Sequence, residues 1–353
     1  MQVVFLMQRL SIPLIAGDGI GPEISEAVQM IVNAVVLRQG ILIDWIPVLA
    51  GQSALDQGKE LLPKSTIDAI KEHRIALKGP CTTPVGEGFT SVNVRLRRSF
   101  ELFAAVRPVM SLPQIKTRFQ NVNLIIVREN TEGLYSGVEN EITPGVVMSM
   151  KVATQHACER IASWAFRYAH QKNRKSISVF HKANIMKMTD GLFLETAHSV
   201  AGKDFPDMGF DSLIIDAGCM KLVQDPSQFD VLLLENLYGD VVSDLCAGFV
   251  GGLGVVPGAN FGSELAIFEA VHGSAPDIAG KDSANPIALL LSAVMMLDYL
   301  ADQLKLPELS ESASMITFAL NRCLKAGHKT RDIGGNMGTK KFSETLVSAL
   351  EAA

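Results

Sequence analysis

Short apolar runs alternate with amphipathic segments along most of the chain. Strand-like runs include Ile12–Ala16, Ile41–Leu49 and Leu124–Arg128, and helical periodicity is clearest in Pro22–Gln39 and Ala153–Gln171. The same rhythm continues through Lys64–His73, Ser176–His181, Leu192–Ala201, Ser212–Asp216 and Phe229–Glu235. Strands that alternate with helices predict an α/β fold with a largely parallel sheet.

One segment departs from this rhythm. Gly137–Met150 contains short strand-like pieces, punctuated by Gly and Pro, with no helical partner. It is typical of a β arm that makes subunit contacts, and equally of a surface hairpin.

Composition limits the function classes. The 353 residues are 48% hydrophobic, enough for two domains or a large α/β body with a smaller lobe. A net charge of −5 argues against non-specific nucleic-acid binding, which needs a basic surface. Five scattered cysteines without CxxC spacing predict reduced thiols. No apolar run is expected to span a membrane, and we expect a cytoplasmic protein, or a matrix protein if a presequence has been removed.

A glycine-rich turn after the first strand invites a dinucleotide-binding interpretation. Gly17-Asp-Gly-Ile-Gly21-Pro22 lacks the GxGxxG spacing, because Pro22 occupies the sixth position. A tight turn with Pro at the helix start is the better prediction. The chain is therefore not expected to have a Rossmann fold.

The segment Asn236–Asp244 carries the most informative acidic pair. It follows a buried strand, and Asp240 and Asp244 are predicted in the first turn of a helix, on one face. Carboxylates so close repel unless a cation lies between them, and oxygen ligands suit Mg²⁺ or Mn²⁺. Aspartates favoured at a helix start by its dipole are the open alternative.

A second group of residues favours an anionic ligand. Ser91, Asn93 and Arg97 lie at the predicted start of a helix, and Arg107 and Arg128 are predicted at the ends of other elements. A hydroxyl, an amide and several guanidinium groups together suit a substrate with more than one carboxylate. Surface arginines in weak ion pairs are the alternative for each one taken singly.

Two further motifs add chemistry. Lys182 follows a strand, where catalytic residues of parallel sheets gather, and Tyr135 is a natural partner acid. The small residues of His272–Gly280 would let backbone approach a flat ligand. Asp277 could accept hydrogen bonds from a ribose and would repel a 2′-phosphate.

Together these motifs resemble the β-decarboxylating dehydrogenase family, the isocitrate and isopropylmalate dehydrogenases. The matching stretches run in order along nearly the whole chain: Gly17–Glu23, Thr83–Arg107, Arg128–Tyr135, Val179–Lys187, Asn236–Asp244, Gly251–Gly254 and His272–Asn285. Ser91-x-Asn93 is similar to the recognition stretch of isocitrate dehydrogenases. The segment Val223–Val231 resembles the sequence of the NAD-dependent members.

The resemblance implies a two-lobed isopropylmalate dehydrogenase-like fold with a mostly parallel sheet. One lobe would contain residues 1–102 and 252–353, and residues 103–251 the second lobe, with a dimerisation arm at about 137–150. It also implies site roles. Substrate carboxylates would bind Ser91, Asn93, Arg97, Arg107 and Arg128, and the metal would bind Asp240, Asp244 and, across a dimer interface, Asp216. Tyr135 and the partner's Lys182 would transfer protons. The cofactor would contact Thr83, Glu269, His272, Gly273, Ser274, Ala275, Pro276, Asp277, Ile278 and Asn285.

The implied reaction is metal-dependent oxidative decarboxylation of isocitrate to 2-oxoglutarate and CO₂ with reduction of NAD, by a homodimer with shared sites that could assemble further. Arg331 and Gly335 do not match the Tyr and Arg of NADP-dependent bacterial relatives, which favours NAD. Ala105 stands where many relatives carry Asn. Two alternatives stay open: a homoisocitrate or 3-isopropylmalate dehydrogenase, and a regulatory subunit without turnover.

Overall fold

The structure is a computed structural model that describes residues 7–83 and 91–351. Part of the predicted loop before Ser91, residues 84–90, lies outside them. The strands are β1 (Gln8–Ile15), β2 (Ile41–Val48), β3 (Ile75–Lys78), β4 (Ala104–Met110), β5 (Asn123–Glu129), β6 (Gly133–Thr143), β7 (Val146–Val152), β8 (Ser176–His181), β9 (Gly209–Ile214), β10 (Val231–Leu234), β11 (Pro257–Phe261) and β12 (Ala266–Ala270). The α-helices are α1 (Gly21–Val36), α2 (Gln52–Leu55), α3 (Lys64–His73), α4 (Val92–Ser99), α5 (Gln155–Gln171), α6 (Thr189–Asp204), α7 (Ile215–Gln224), α8 (Asn236–Val250), α9 (Ile287–Leu304), α10 (Pro307–Lys325) and α11 (Thr339–Glu351).

Ten strands form one sheet in the order β2-β1-β3-β12-β11-β4-β5-β10-β8-β9. The pairs toward both edges are parallel, whereas the central pairs β12–β11, β11–β4 and β4–β5 are antiparallel. The predicted mostly parallel α/β sheet is confirmed. The antiparallel centre follows from β11, which returns late in the chain to pair with β4.

The strand order bears on the predicted two-lobe division. The strands from β2 to β11 in that order come from residues 1–102 and 252–353, and the strands from β4 to β9 come from residues 103–251. The proposed boundary would therefore cross the sheet only once, between β4 and β11. The division stays a proposal that this order supports.

Strands β6 and β7 form the separate two-stranded sheet expected for the Gly137–Met150 segment. Its outer half is exposed and carries several large apolar side chains among polar ones, with Ile142 and Val147 60% and 68% accessible. An exposed apolar ribbon is suited to a protein contact. A subunit contact through it stays a prediction.

Helix α9 corrects the expectation about membranes. It is apolar and 18 residues long, so the described part of the chain does contain one helix that could span a membrane by length and composition. More than half of this helix is buried, and it packs on β11, β12 and α10. In this fold it is a core helix.

Three local predictions were wrong. Helix α8 begins at Asn236, so Asp240 and Asp244 lie in its second and third turns, and not in its first. Asp216 lies in the first turn of α7 because β9 ends at Ile214. Arg107 lies inside β4, and not at an element end.

Candidate active site

The centre of the sheet presents several charged side chains on one face. Glu269 of β12 is opposite Lys78 of β3 in register, and Arg128 of β5 is opposite Ala105 of β4. Arg107, two residues from Ala105, therefore points to the same side as Arg128, because alternate residues of a strand share a face. Its guanidinium indeed reaches Glu269 at 3.3 Å.

Glu269 is the buried counterion of this face. Its carboxylate lies 2.8 Å from Lys78 Nζ and accepts a 2.6 Å hydrogen bond from Asn260 Nδ2. Burial alone would raise the pKa of Glu269, but the charges of Lys78 and Arg107 outweigh burial and hold its pKa below the ordinary value. Glu269 is only 4% exposed, and its contact with the Arg107 guanidinium holds that side chain in place. Its predicted contact with the cofactor stays untested.

Helix α4 brings the other predicted substrate residues to the same place. Ser91 is the N-cap residue and its side chain makes no capping hydrogen bond, while Asn93 and Arg97 lie one turn apart. Within residues 7–83 and 91–351, the buried atoms Asn93 Oδ1 and Arg97 Nε have no hydrogen-bond partner. Polar atoms buried without partners are costly, so this pair indicates a ligand that would supply them.

Electrostatics give the same indication. Burial and the neighbouring charge of Arg128 lower the pKa of Arg97 to about 10, which still leaves it charged at neutral pH. Four cations, Lys78, Arg97, Arg107 and Arg128, face the three carboxylates Glu269, Asp240 and Asp244. A tricarboxylate bound together with a divalent cation would bring this group to electrical neutrality.

We expect Arg97→Met to separate binding from stability. The substitution should raise the KM for the anionic substrate about 30-fold to several thousandfold, because losing one partner of a buried charge pair costs about 2–5 kcal/mol. Without ligand, the midpoint of thermal unfolding should not fall, since an unpaired buried charge is removed. Arg95→Met, on the opposite side of α4, is the control. A large fall in unliganded stability with unchanged KM would contradict the assignment.

Arg128 is held by the start of α8. Asn236 Oδ1 accepts from its Nε at 3.0 Å and from its Nη2 at 2.6 Å, and Asp240 accepts from its Nη1. Gly239 makes this approach possible, since a Cβ there would lie 2.5 Å from Arg128 Cγ. The reason for glycine in this motif is therefore packing against Arg128.

Tyr135 also lies against α8. Its hydroxyl donates to Asp240 Oδ2 at 2.5 Å, and its ring lies under the Arg128 guanidinium, 5.1 Å from the ring centroid. Burial and the hydrogen bond to Asp240 raise the pKa of Tyr135. The phenol therefore carries its proton at neutral pH and can act as an acid.

Asp240 and Asp244 suit a metal ion. They lie one turn apart on α8, and burial together with the charge of Asp240 raises the pKa of Asp244. Each Asp240 oxygen accepts one hydrogen bond, which leaves lone pairs for a cation. Across the described residues no three His, Cys, Asp or Glu side chains come together as a complete metal site. The structure thus brings together two of the three predicted ligands.

The third predicted ligand lies elsewhere in the chain. Asp216 Oδ1 lies 2.7 Å from Lys182 Nζ, and the Asp216 side chain is 70% exposed. The hydrogen bond from Lys182 lowers the pKa of Asp216. Lys182 and Asp216 thus form a second group, separate from Tyr135 and Asp240.

The glycine turn after β1 packs against the segment that is predicted to bind the cofactor. Ile20 N donates to Ser274 O at 2.8 Å, and the Ser274 hydroxyl lies 2.6 Å from that of Thr82. Gly19 has φ 58°, and a Cβ there would lie 2.0 Å from Ser274 O. The turn is therefore needed for close packing of the segment 272–278.

Other predicted cofactor residues have mixed environments. His272 Nδ1 donates to Gly273 O at 2.9 Å, and its buried Nε2 has no partner within the described chain. Burial lowers the pKa of His272, and a neutral ring with that tautomer leaves Nε2 as an acceptor. Asp277 is exposed on a short 3₁₀ helix. Asn285 and Thr83 instead cap helices, accepting from Ile287 N and Val92 N.

Comparison with known proteins identifies the family. The isocitrate/isopropylmalate dehydrogenase family profile matches residues 11–346. The chain belongs to this family. It is 47% identical over 340 residues to the alpha chain of a probable mitochondrial NAD isocitrate dehydrogenase of Drosophila melanogaster, covering 96% of this chain and 87% of that protein. A regulatory chain of the mitochondrial NAD isocitrate dehydrogenase of Dictyostelium discoideum is 46% identical, with coverage of 96% and 91%.

A solved structure shows the same fold. The crystal structure of isocitrate dehydrogenase from Methylococcus capsulatus superposes with a TM-score of 0.89 at 43% identity, covering 97% of this chain and 99% of that one. The isopropylmalate dehydrogenase-like α/β fold predicted from the motifs is confirmed.

Three residues of this family member were missed in the sequence. Lys78 ends an apolar strand, Asn236 holds Arg128, and Asp190 accepts from the Lys182 backbone at 2.7 Å. A lysine closing the otherwise apolar run Ile75-Ala-Leu-Lys78 was the one available signal.

Proposed function

We propose that this chain catalyses the oxidative decarboxylation of isocitrate to 2-oxoglutarate and CO₂, with reduction of NAD and with Mg²⁺ or Mn²⁺. The observation that supports this most strongly is the buried cluster of Arg97, Arg107 and Arg128 beside Asn93, whose buried Oδ1 has no partner among the described residues. Such a site suits a small substrate with several carboxylates. Its relatives are named as subunits of NAD-dependent isocitrate dehydrogenases.

The residues divide the reaction between them. Arg97, Arg107 and Arg128 bind carboxylates and exclude water around the reacting carbons. Lys182 takes the proton of the substrate hydroxyl while the carbon that bears this hydroxyl loses a hydride. Tyr135 later donates a proton to the carbon that loses CO₂. When bound, the metal would polarise the substrate hydroxyl and ketone oxygens, and NAD would accept the hydride.

We also propose that two copies share their sites. Lys182 and Asp216 form a group apart from Asp240 and Asp244, which would be completed by a second copy of the chain. Apolar residues near both groups are strongly exposed: Ile185, Met188, Met220 and Val241. Exposed apolar side chains around an incomplete site favour a homodimer.

A substrate and cofactor panel tests the proposal. Purified protein with Mg²⁺ should reduce NAD with isocitrate at a kcat/KM well above that with homoisocitrate or 3-isopropylmalate. NADP should be the poorer cofactor, because exposed Asp277 would repel its 2′-phosphate. Preference for 3-isopropylmalate would overturn the substrate, and preference for NADP would overturn the role of Asp277.

A regulatory role within a hetero-oligomer is the second candidate, and the Dictyostelium relative is named for such a role. Against it, Tyr135, Lys182, Asp240 and Asp244 are all present. We propose an aqueous, reducing compartment for the enzyme, the cytoplasm or the mitochondrial matrix. The named mitochondrial location belongs to its eukaryotic relatives.

A further inference from the structure

A buried ion cluster lies behind Lys182. Lys151, near the end of β7, has its Nζ 2.5 Å from Asp190 Oδ1 and 3.6 Å from Glu235 Oε1. The Asp190 side chain is 1% exposed, and those of Lys151 and Glu235 are 11% exposed. Buried charges are retained only with partners, and Lys151 is the counterion of both carboxylates.

Asp190 connects this cluster to the backbone of Lys182. Its Oδ2 accepts from Lys182 N at 2.7 Å, while Oδ1 accepts from Lys151 and, at 3.3 Å, from Thr189 Oγ1. The carboxylate thereby closes the turn between β8 and α6. The position of the Lys182 Cα depends on this buried contact.

The same ammonium reaches the start of α8. Glu235 is the N-cap residue of that helix and accepts from Tyr238 N at 3.1 Å. Lys151 Nζ also lies over the Tyr238 ring, 4.6 Å from its centroid. Lys151 thus contacts Asp190, which accepts from the backbone of Lys182, and it also contacts the start of α8, the helix that carries Asp240.

We propose that Asp190 is a positioning residue that holds Lys182 in the geometry needed for proton transfer. This rests on the proposed function and its shared sites. The ion pair of Lys182 with the largely exposed Asp216 is of the weak, solvent-screened kind, which does not fix a long side chain. A buried carboxylate bonded to the backbone supplies the missing constraint. An acid merely favoured in the first turn of α6 would affect stability alone.

Steady-state kinetics give the first test. Asp190→Ala should lower kcat about 100-fold, the effect of a misplacement near 1 Å, while the KM for isocitrate changes less than threefold. Asp190→Asn keeps an acceptor for Lys182 N and should recover most of kcat. Asp204→Ala, at the exposed end of the same helix, should behave as wild type. A wild-type kcat for Asp190→Ala would overturn the inference.

Hybrid dimers separate positioning from a general structural effect. In a dimer with Tyr135→Phe in one protomer, the intact site uses the Lys182 of that altered protomer. Adding Asp190→Ala to the Tyr135→Phe protomer should therefore slow the intact site about 100-fold. Placing it in the other protomer should leave about half of wild-type activity. Equal loss in both hybrids would mean a general structural role and would contradict the inference.

A third hybrid separates failure of this inference from failure of the shared site. Combining a Lys182→Met protomer with a Tyr135→Phe protomer should restore activity that neither homodimer has. If activity is not restored, the shared site and the inference both fail. If it is restored and the two Asp190 hybrids are equal, only the inference fails. Should Asp190→Ala not fold, Lys151→Met, which removes the counterion of Asp190, takes its place, with the same ordering of the two hybrids expected.

Discussion

Lys182→Met is expected to lower kcat for isocitrate oxidation about 10²–10⁴-fold, the usual contribution of a general acid–base group. The methionine keeps the approximate length of the side chain and removes the nitrogen that we propose accepts the substrate proton. Isocitrate affinity should change much less, because in the proposed site Arg97, Arg107 and Arg128 would supply most of the carboxylate contacts. The comparison requires kcat at saturating isocitrate, NAD and Mg²⁺, together with a direct measurement of isocitrate binding.

Lys182→Arg is the matched control. It retains the positive charge and can still pair with Asp216, which lies 2.7 Å from Lys182 Nζ. A guanidinium does not give up its proton in proteins, so this variant should be about as slow as Lys182→Met. If the arginine variant kept more than about a tenth of wild-type kcat, the lysine would act as a charge and not as a proton acceptor.

Glu269→Gln is expected to lower the free energy of unfolding by about 3–5 kcal/mol, because breaking a buried ion pair leaves a buried charge without a counterion. Here two cations would lose their counterion, because Lys78 lies 2.8 Å and Arg107 3.3 Å from the Glu269 carboxylate. The KM for isocitrate should also rise, since Arg107 loses the side chain that fixes it. Denaturant unfolding and steady-state kinetics measure the two effects.

The pH dependence of this effect follows from the sign of the pKa shift. Since the cations hold the pKa of Glu269 below its ordinary value, its stabilisation is present above about pH 4.5 and is lost as pH falls through the lowered pKa. The difference between wild type and Glu269→Gln should therefore be equal at pH 5 and pH 7. Glu264→Gln, an exposed change nearby, should stay within about 0.5 kcal/mol of wild type. An equally small effect at Glu269 would refute the buried counterion.

Much of the site could be predicted because many of its residues lie close together in sequence, within single helices. Asp240 and Asp244 share a helical face at any position within a helix, so the error about where α8 begins did not matter. Ser91, Asn93 and Arg97 likewise follow from helical spacing around a single helix start. The parallel edges of the sheet came from the alternation of strands and helices.

What could not be predicted depends on contacts between distant segments. The Lys78–Glu269 pair joins strands 191 positions apart, and it exists because β12 lies beside β3 in the sheet. Asp190 has the sequence appearance of an ordinary acid at a helix start, and only the fold places Lys151 beside it. The space next to Gly239 is likewise occupied by a residue distant in sequence, Arg128.

If this chain is itself a catalyst, its activity in the absence of any other protein will show this most directly. The purified chain alone, with isocitrate, NAD and Mg²⁺, should form NADH and 2-oxoglutarate in equal amounts, and chelation of the metal should stop the reaction. Isocitrate binding without NADH formation, with turnover appearing only when a different protein chain is added, would contradict the account and identify a regulatory role.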